Sequence, residues 1–244
     1  VCSVSTYLCA MVLANHIRQF PSEAGLAEMR YRLAVLNLKL QHPGFARKIF
    51  NKILDIHLDN KEIAGLSEIE TLLLDTGSAY FKIHSLDTIL KKYSGFARVE
   101  ARGLLEKGKL SLVNNAPDQA LKYFQKILGN YPQQRSLAAE AAFLQSQVYE
   151  LVGNREKLVQ TFVQVVRDFS DVPKWKQKAI GSIFNLHEKQ LTLEKKVSHL
   201  QALTETYKDI PQLAAAIQNR VGALYYEASE NLLAKEAYKT TAKY

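Results

Sequence analysis

The residues of this chain most able to do chemistry are its six histidines and two cysteines. The histidines show neither an HxxxH spacing nor a cysteine–histidine spacing of the kinds that bind zinc. Cys2 and Cys9 are seven residues apart, which on a helix separates their α-carbons by about 10 Å, too far for a disulfide bond. We therefore predict no metal site and no cofactor, and we expect both cysteines to be buried thiols.

Motifs of nucleophilic catalysis and of phosphate binding are also missing from the sequence. It contains no GxSxG, no phosphate-binding loop and no GxGxxG, and its eleven glycines are spread along the chain. The sequence therefore predicts that the chain is not an enzyme. An alternative stays open, in which the chain is a helical accessory segment of a larger enzyme whose catalytic part lies outside it.

The formal net charge of +8 is concentrated in two segments. Residues 91–109 carry six basic and two acidic side chains, and residues 172–200 carry the same balance. A basic surface can attract nucleic acid, anionic lipid or an acidic protein segment, or it can simply be a solvated helix face. No arginine-rich tract or known nucleic-acid reader motif is present, so we expect no specific nucleic acid as a partner.

These residues are positioned by a repeated helical element. Residues 110–124 align with residues 148–162 at a constant offset of 38. An aromatic residue closes four successive units at the same interval: Tyr93, Tyr131, Phe169 and Tyr207. A fixed period between about 20 and 50 residues is typical of a stacked array of repeats.

Small residues recur inside the repeat at Gly108, Ser146 and Gly222. Phe124 and Tyr238 each follow another small residue by four positions, which places the aromatic ring on the same helical face as that residue. This pattern predicts helix backbones that approach closely, with an aromatic ring filling the space beside them. At the corresponding position Phe184 replaces the small residue, so we expect either wider packing there or a Phe184 side chain that turns outward.

Gly108, Ala120, Phe124, Ile127 and Pro132 resemble the spaced signature of the tetratricopeptide repeat. The second copy, with Leu158 where a small residue is usual, indicates a diverged repeat. The resemblance implies an all-α, right-handed superhelix (solenoid) of about six helical hairpins with a period near 38. It also implies a non-catalytic scaffold for protein–protein interaction.

The long period and the ending Asn130-Tyr131-Pro132 are similar to the tetratricopeptide domains of bacterial envelope proteins of the TolA-binding type. This similarity implies a bacterial periplasm or cell envelope as the location, and an envelope assembly as the setting.

The period divides the chain into one incomplete repeat and six full units. Residues 1–22 are expected to be the second helix of an incomplete repeat in a fragment of a longer protein. The apolar run near Leu8 is about eight residues long, whereas a membrane span needs about 20, so we predict no transmembrane segment. One continuous solenoid is expected over the units 23–58, 59–94, 95–132, 133–170, 171–208 and 209–244.

In tetratricopeptide arrays the first helices of successive hairpins line a concave groove, so the resemblance implies a binding surface here. The matching positions, called the predicted groove below, are Arg102, Lys109, Glu140, Phe143, Gln147, Lys178, Asn185, Lys189, Asn219 and Tyr226. Such a surface suits a peptide or partner protein with an acidic segment, because basic groups would pair with its carboxylates. The other interpretation is that these residues are solvated. The partner's identity and the oligomeric state are left open.

Overall fold

The computed structural model describes residues 4–21, 23, 25–188 and 191–244, and these residues form α-helices without any β-strand. They divide into two compact units, Val1–Gln134 (unit 1) and Arg135–Tyr244 (unit 2). The helices of unit 1 are α1 Val4–Gln19, α2 Leu26–Lys39, α3 Pro43–Ile56, α4 Lys61–Leu73, α5 Ala79–Lys92, α6 Ala97–Val113 and α7 Pro117–Asn130. Those of unit 2 are α8 Arg135–Leu151, α9 Arg155–Asp168, α10 Pro173–Glu188, α11 Leu193–Thr206, α12 Pro211–Glu227 and α13 Asn231–Thr241.

The helices pair in chain order as antiparallel neighbours. After α1, the described residues form three hairpins in unit 1 (α2–α3, α4–α5, α6–α7) and three in unit 2 (α8–α9, α10–α11, α12–α13). The second helix of each hairpin packs on the first helix of the next within the same unit. The prediction of an all-α array of about six hairpins is confirmed. The residue limits of the repeat units, and one continuous solenoid over the whole chain, stay predictions.

A left-handed backbone residue recurs in the turn inside the hairpins. Positive φ values occur at Gln41, Asn115, Gly153 and Ser229, and the last three are separated by one and then two periods of 38. After the turn, α7 begins with Pro117, whereas α9 begins after the side-chain cap Asn154, whose Oδ1 accepts a hydrogen bond from the Lys157 N–H at 3.0 Å. The period in the sequence is therefore a period in backbone geometry.

Close packing between the helices of a hairpin follows the predicted pairing of small and aromatic residues. A Cβ added to Gly108 would lie 2.3 Å from Cε1 of Phe124, and one added to Gly222 would lie 2.6 Å from Cε1 of Tyr238. Only glycine leaves room for these rings. Phe184, which stands at the corresponding position of α10, is half-buried.

Helix α1 is the most solvent-exposed of the helices in unit 1. Tyr7, Leu8, Met11 and Val12 are all exposed on it, because α2 covers only one of its faces. Cys9 is exposed on the same uncovered face, so the prediction of buried thiols is wrong for this residue. Cys2 lies outside the described residues. No described helix is long and apolar enough to cross a membrane.

Candidate functional site

In unit 1 the first helices of the hairpins are joined by ion pairs, which we call the charge ladder. Its first step links α2, α4 and α6 through Arg98, whose guanidinium group donates to Glu28 at 2.8 Å and to Glu62 at 3.4 Å. Arg32, one turn after Glu28 on α2, donates to the same carboxylate at 2.8 Å. Three first helices thus share one charged cluster.

The surroundings of Glu28 favour its ionised form. Burial alone would raise the pKa of this carboxyl, but the hydrogen bonds and positive charges of Arg98 and Arg32 outweigh burial. The pKa of Glu28 therefore lies below its ordinary value, and the cluster is charged at neutral pH.

The second step of the ladder contains two predicted groove residues. Arg102 of α6 pairs with Glu70 of α4 and with Glu106 of its own helix, both at 2.9 Å. Lys109 pairs with the same Glu106 at 2.9 Å, and the hydroxyl of Tyr31 donates to Glu70 at 3.3 Å. The charges of Arg102 and Lys109 are therefore balanced inside unit 1, and an acidic partner would have to compete for them.

In unit 2 the predicted groove residues Phe143 and Lys178 meet in an aromatic–lysine patch formed by Phe143, Phe162, Trp175 and Lys178. The ring of Phe143 lies 5.5 Å from that of Phe162 and 5.2 Å from that of Trp175, centroid to centroid. The ammonium group of Lys178 lies over both Trp175, at 4.5 Å, and Phe143, at 5.9 Å. Its contacts are with ring faces, which attract a cation without neutralising it.

Trp175 belongs to this patch but was not among the predicted site residues. Its indole ring is buried, and its N–H has no hydrogen-bond acceptor among the described residues. The sequence did contain a signal, because the chain's single tryptophan stands one residue after Lys174 and three before Lys178. On a helix the spacing of three places Lys178 near the indole. Lys174 also lies 4.5 Å from the ring centroid, which the spacing did not predict.

The other predicted groove residues are dispersed over the first helices of unit 2. Gln147 of α8 and Asn185 of α10 are exposed, and Glu140 of α8 is half-buried. Asn219 of α12 accepts a hydrogen bond from the Thr241 hydroxyl at 3.3 Å, and Tyr226 is 68% exposed. Lys189 lies outside the described residues.

An ion pair that the sequence did not predict connects α10 and α12 in unit 2. Arg220 donates two hydrogen bonds to the carboxylate of Glu188, at 2.7 and 2.8 Å, and a third to Glu227 at 3.0 Å. The hydrogen bond to Glu188 is the main reason why the pKa of Arg220 is raised. This bidentate contact links α12 to the C-terminal end of α10.

The arrangement as a whole can bind charged groups. Among the described residues, no three histidine, cysteine, aspartate or glutamate side chains are placed to hold a metal ion. What the first helices offer is a balanced set of ion pairs in unit 1 and a lysine on an aromatic platform in unit 2.

Comparison with known proteins identifies the type of fold but not the function. No protein-family model matches the chain, and no curated protein matches its sequence. The chain is similar to the crystal structure of a Signal Transduction ATPase with Numerous Domains (STAND) protein with a tetratricopeptide repeat sensor from Pyrococcus horikoshii, with a TM-score of 0.51 and 15% sequence identity. The chain has a tetratricopeptide-like fold.

That match covers 98% of this chain and 42% of the archaeal protein, so the chain spans less than half of that protein's length. At such low identity the likeness concerns the fold alone. The finer resemblance to repeats of the TolA-binding type stays a prediction.

Proposed function

We propose that this chain is a non-catalytic scaffold that binds a peptide or partner protein on the first-helix surface of unit 2. The observation that carries the proposal is the aromatic–lysine patch, in which the exposed Lys178 stands over Trp175 and Phe143. A lysine held against ring faces keeps its charge and loses side-chain freedom before any partner arrives. Its pairing with an incoming carboxylate therefore costs less conformational entropy.

The partner that fits this patch has an acidic residue beside an apolar one. The acidic group would pair with Lys178, and the apolar side chain would cover the half-buried ring of Phe143. Gln147 and Asn185 are exposed on the neighbouring turns and can hydrogen-bond to a peptide main chain. This combination supports recognition of an acidic segment.

We expect unit 1 to contribute less than unit 2 to the binding of an acidic partner. Arg102 and Lys109 already share Glu106, so a partner's carboxylate would replace an existing ion pair without adding a new one. We place the main contact with an acidic partner at Lys178 for this reason.

Two wider settings are compatible with such a scaffold. The resemblance to TolA-binding repeats favours an assembly in the bacterial envelope. The second candidate is an accessory segment of a larger enzyme, and the fold neighbour favours it, because that protein is by its title an ATPase with a tetratricopeptide repeat sensor. In both settings this chain contributes binding and not catalysis.

The test is selection from a random peptide library on the purified chain, followed by affinity measurement through fluorescence anisotropy. We expect selected peptides to pair an acidic with an aromatic or aliphatic residue. Lys178→Glu should weaken their binding about five- to tenfold, the effect of one charge-assisted contact of roughly 1 kcal/mol.

The matched control is Lys235→Glu, a charge reversal at an exposed position on the second helix α13. It should change the affinity by less than about twofold, because a distant surface charge is screened. Selection without acidic enrichment, or equal losses in the two variants, would contradict the proposal.

A further inference from the structure

The indole N–H of Trp175 is a buried donor without an acceptor. Trp175 is 5% exposed, and among the described residues no group accepts a hydrogen bond from its Nε1. Buried polar groups are nearly always hydrogen-bonded, because the loss of their hydration is otherwise not compensated. An unpaired donor in the aromatic–lysine patch therefore points to an acceptor that comes from outside the described residues.

The position of Trp175 in the first turn of α10 indicates the charge of that acceptor. Aligned peptide dipoles leave a partial positive charge at the N-terminal end of a helix, which favours a negative group there. The first turn of α10 contains no acidic side chain that could supply this group itself. The helix end and the unpaired donor thus favour the same kind of ligand, an anion.

Lys178 brings a full positive charge to the same ring. Its ammonium group lies 4.5 Å from the centroid of the Trp175 ring and forms no ion pair with a described carboxylate. A carboxylate has two acceptor oxygens, so one can pair with this ammonium group while the other accepts from the indole N–H. A side-chain amide offers one oxygen and no charge to the same two donors.

Access to the buried N–H depends on the side chains that lie over the ring. Lys174 and Lys178 are both exposed, and both ammonium groups lie 4.5 Å from the ring centroid. The four-carbon stem of a lysine is flexible, so Lys178 can turn toward an incoming carboxylate and uncover part of the indole. Pairing with Lys178 and approach to the N–H of Trp175 are then two parts of one binding event.

We infer that Trp175 determines the specificity of the aromatic–lysine patch, because its indole N–H and the ammonium group of Lys178 together bind one aspartate or glutamate carboxylate of the partner. This inference rests on the proposed function and deepens it. Lys178 attracts the carboxylate, and the N–H of Trp175 fixes one of its oxygens. The N–H also favours an acid over the corresponding amide, since a hydrogen bond to an ionised acceptor is the stronger one.

The chain's single tryptophan makes the test direct, because a nitrogen–proton correlation spectrum contains one indole N–H resonance. The probe is N-acetyl-aspartyl-phenylalanine amide at millimolar concentration, which places a carboxylate beside an apolar ring. The control probe has asparaginyl in place of aspartyl. We expect the aspartyl probe to move the indole resonance downfield and to slow its exchange with solvent, and the asparaginyl probe to leave it nearly unchanged.

Two variants separate the N–H from the packing around it, with the affinity for each probe taken from backbone amide shifts. Trp175→Phe keeps an aromatic ring beside Lys178 and removes the donor. It should reduce the preference for the aspartyl over the asparaginyl probe about three- to tenfold, as expected for the loss of one hydrogen bond. Phe162→Leu disturbs packing in the same patch and leaves both donors, so it should keep this preference within about twofold of the wild type.

The outcomes distinguish this inference from the proposed function. If library peptides bind through Lys178 while the aspartyl probe leaves the indole resonance unmoved, the inference is overturned and the proposed function stands. An unchanged preference in a folded Trp175→Phe would overturn it as well, and the wild-type spectra decide the matter if that variant does not fold. If neither acidic library peptides nor the aspartyl probe bind, both the inference and the proposed function fail.

Discussion

Gly108 is the position where adding one methyl group would most disturb the packing within a repeat. Its missing Cβ leaves room for Phe124, whose ring is fully buried and has no space to retreat. Gly222 makes the same contact with Tyr238, but that ring is 43% exposed and can swing toward solvent. The two glycines therefore occupy equivalent positions with different tolerance.

We predict that Gly108→Ala lowers the free energy of unfolding by about 1–3 kcal/mol, because overpacking forces the ring of Phe124 off its preferred position. Gly222→Ala should cost less. Gly129→Ala is the control, since nothing lies within 4 Å of its added Cβ and alanine is the better helix former. Urea denaturation followed by circular dichroism measures all three, and a Gly108→Ala variant as stable as the wild type would refute this packing account.

At the scale of single residues, the sequence predicted which side chains lie on the same surface better than it predicted which side chains form ion pairs. Phe143 and Lys178 were expected on one surface because both fall on first helices, at positions that line the groove in tetratricopeptide arrays, and they do meet. The neutralisation of Arg102 was not predictable, because its partner Glu70 is 32 residues away in the sequence. Residues this far apart in the sequence come into contact only because two helices stack, and no local sequence pattern predicts that contact.

Ion pairs between first helices are the characteristic feature of unit 1 at the scale of elements. Glu28 of α2 and Arg98 of α6 are 70 residues apart, and their contact reaches across the hairpin of α4 and α5. The positive charges beside Glu28 lower its pKa. A carboxyl with a lowered folded-state pKa stabilises the fold above its unfolded pKa, and this contribution is lost as the pH falls through the folded value.

We predict that Glu28→Gln costs about 0.5–1 kcal/mol at about pH 7, because the ion pair is only partly exposed. The difference from the wild type should begin to shrink near the ordinary carboxyl pKa of 4.5 and should disappear below the lowered pKa of the folded state. Asp55→Asn, at an exposed position on α3, is the control and should leave the free energy of unfolding at about pH 7 within about 0.5 kcal/mol of the wild type. Urea unfolding at several pH values checks this, and a deficit of Glu28→Gln that does not shrink between about pH 7 and pH 3 would contradict it.

The hairpins themselves were predictable because turn residues and apolar faces repeat together. Among the described residues, α4–α5 departs from this pattern, because the repeat register is lost there in the sequence. Its turn has no left-handed residue at the recurring position, and α5 instead begins with Ser78, whose hydroxyl caps the Phe81 N–H at 3.2 Å. The Ser78 side chain caps the start of α5 in place of the left-handed turn residue. The helical hairpin therefore forms although the repeat signature is missing.

At the scale of the molecule, the two basic segments of the sequence differ in what they offer. Both have the same formal balance of charges, but the described residues of the first are largely paired within unit 1. In the second, Lys178 lies over the rings of Trp175 and Phe143. Charge counts alone could not separate these cases, because pairing depends on which helices become neighbours. We propose accordingly that the chain recognises acidic protein segments through unit 2.

Zero-length carbodiimide cross-linking in native extract tests this claim most directly, since it joins a lysine only to a carboxylate that it already contacts. Lys178 and Lys235 are both exposed, so they form an internal comparison within one molecule. We predict that mass spectrometry will find Lys178 joined to aspartate or glutamate of a partner protein, with Lys235 unmodified. Cross-links concentrated at Lys235, or spread evenly over the exposed lysines, would contradict the account.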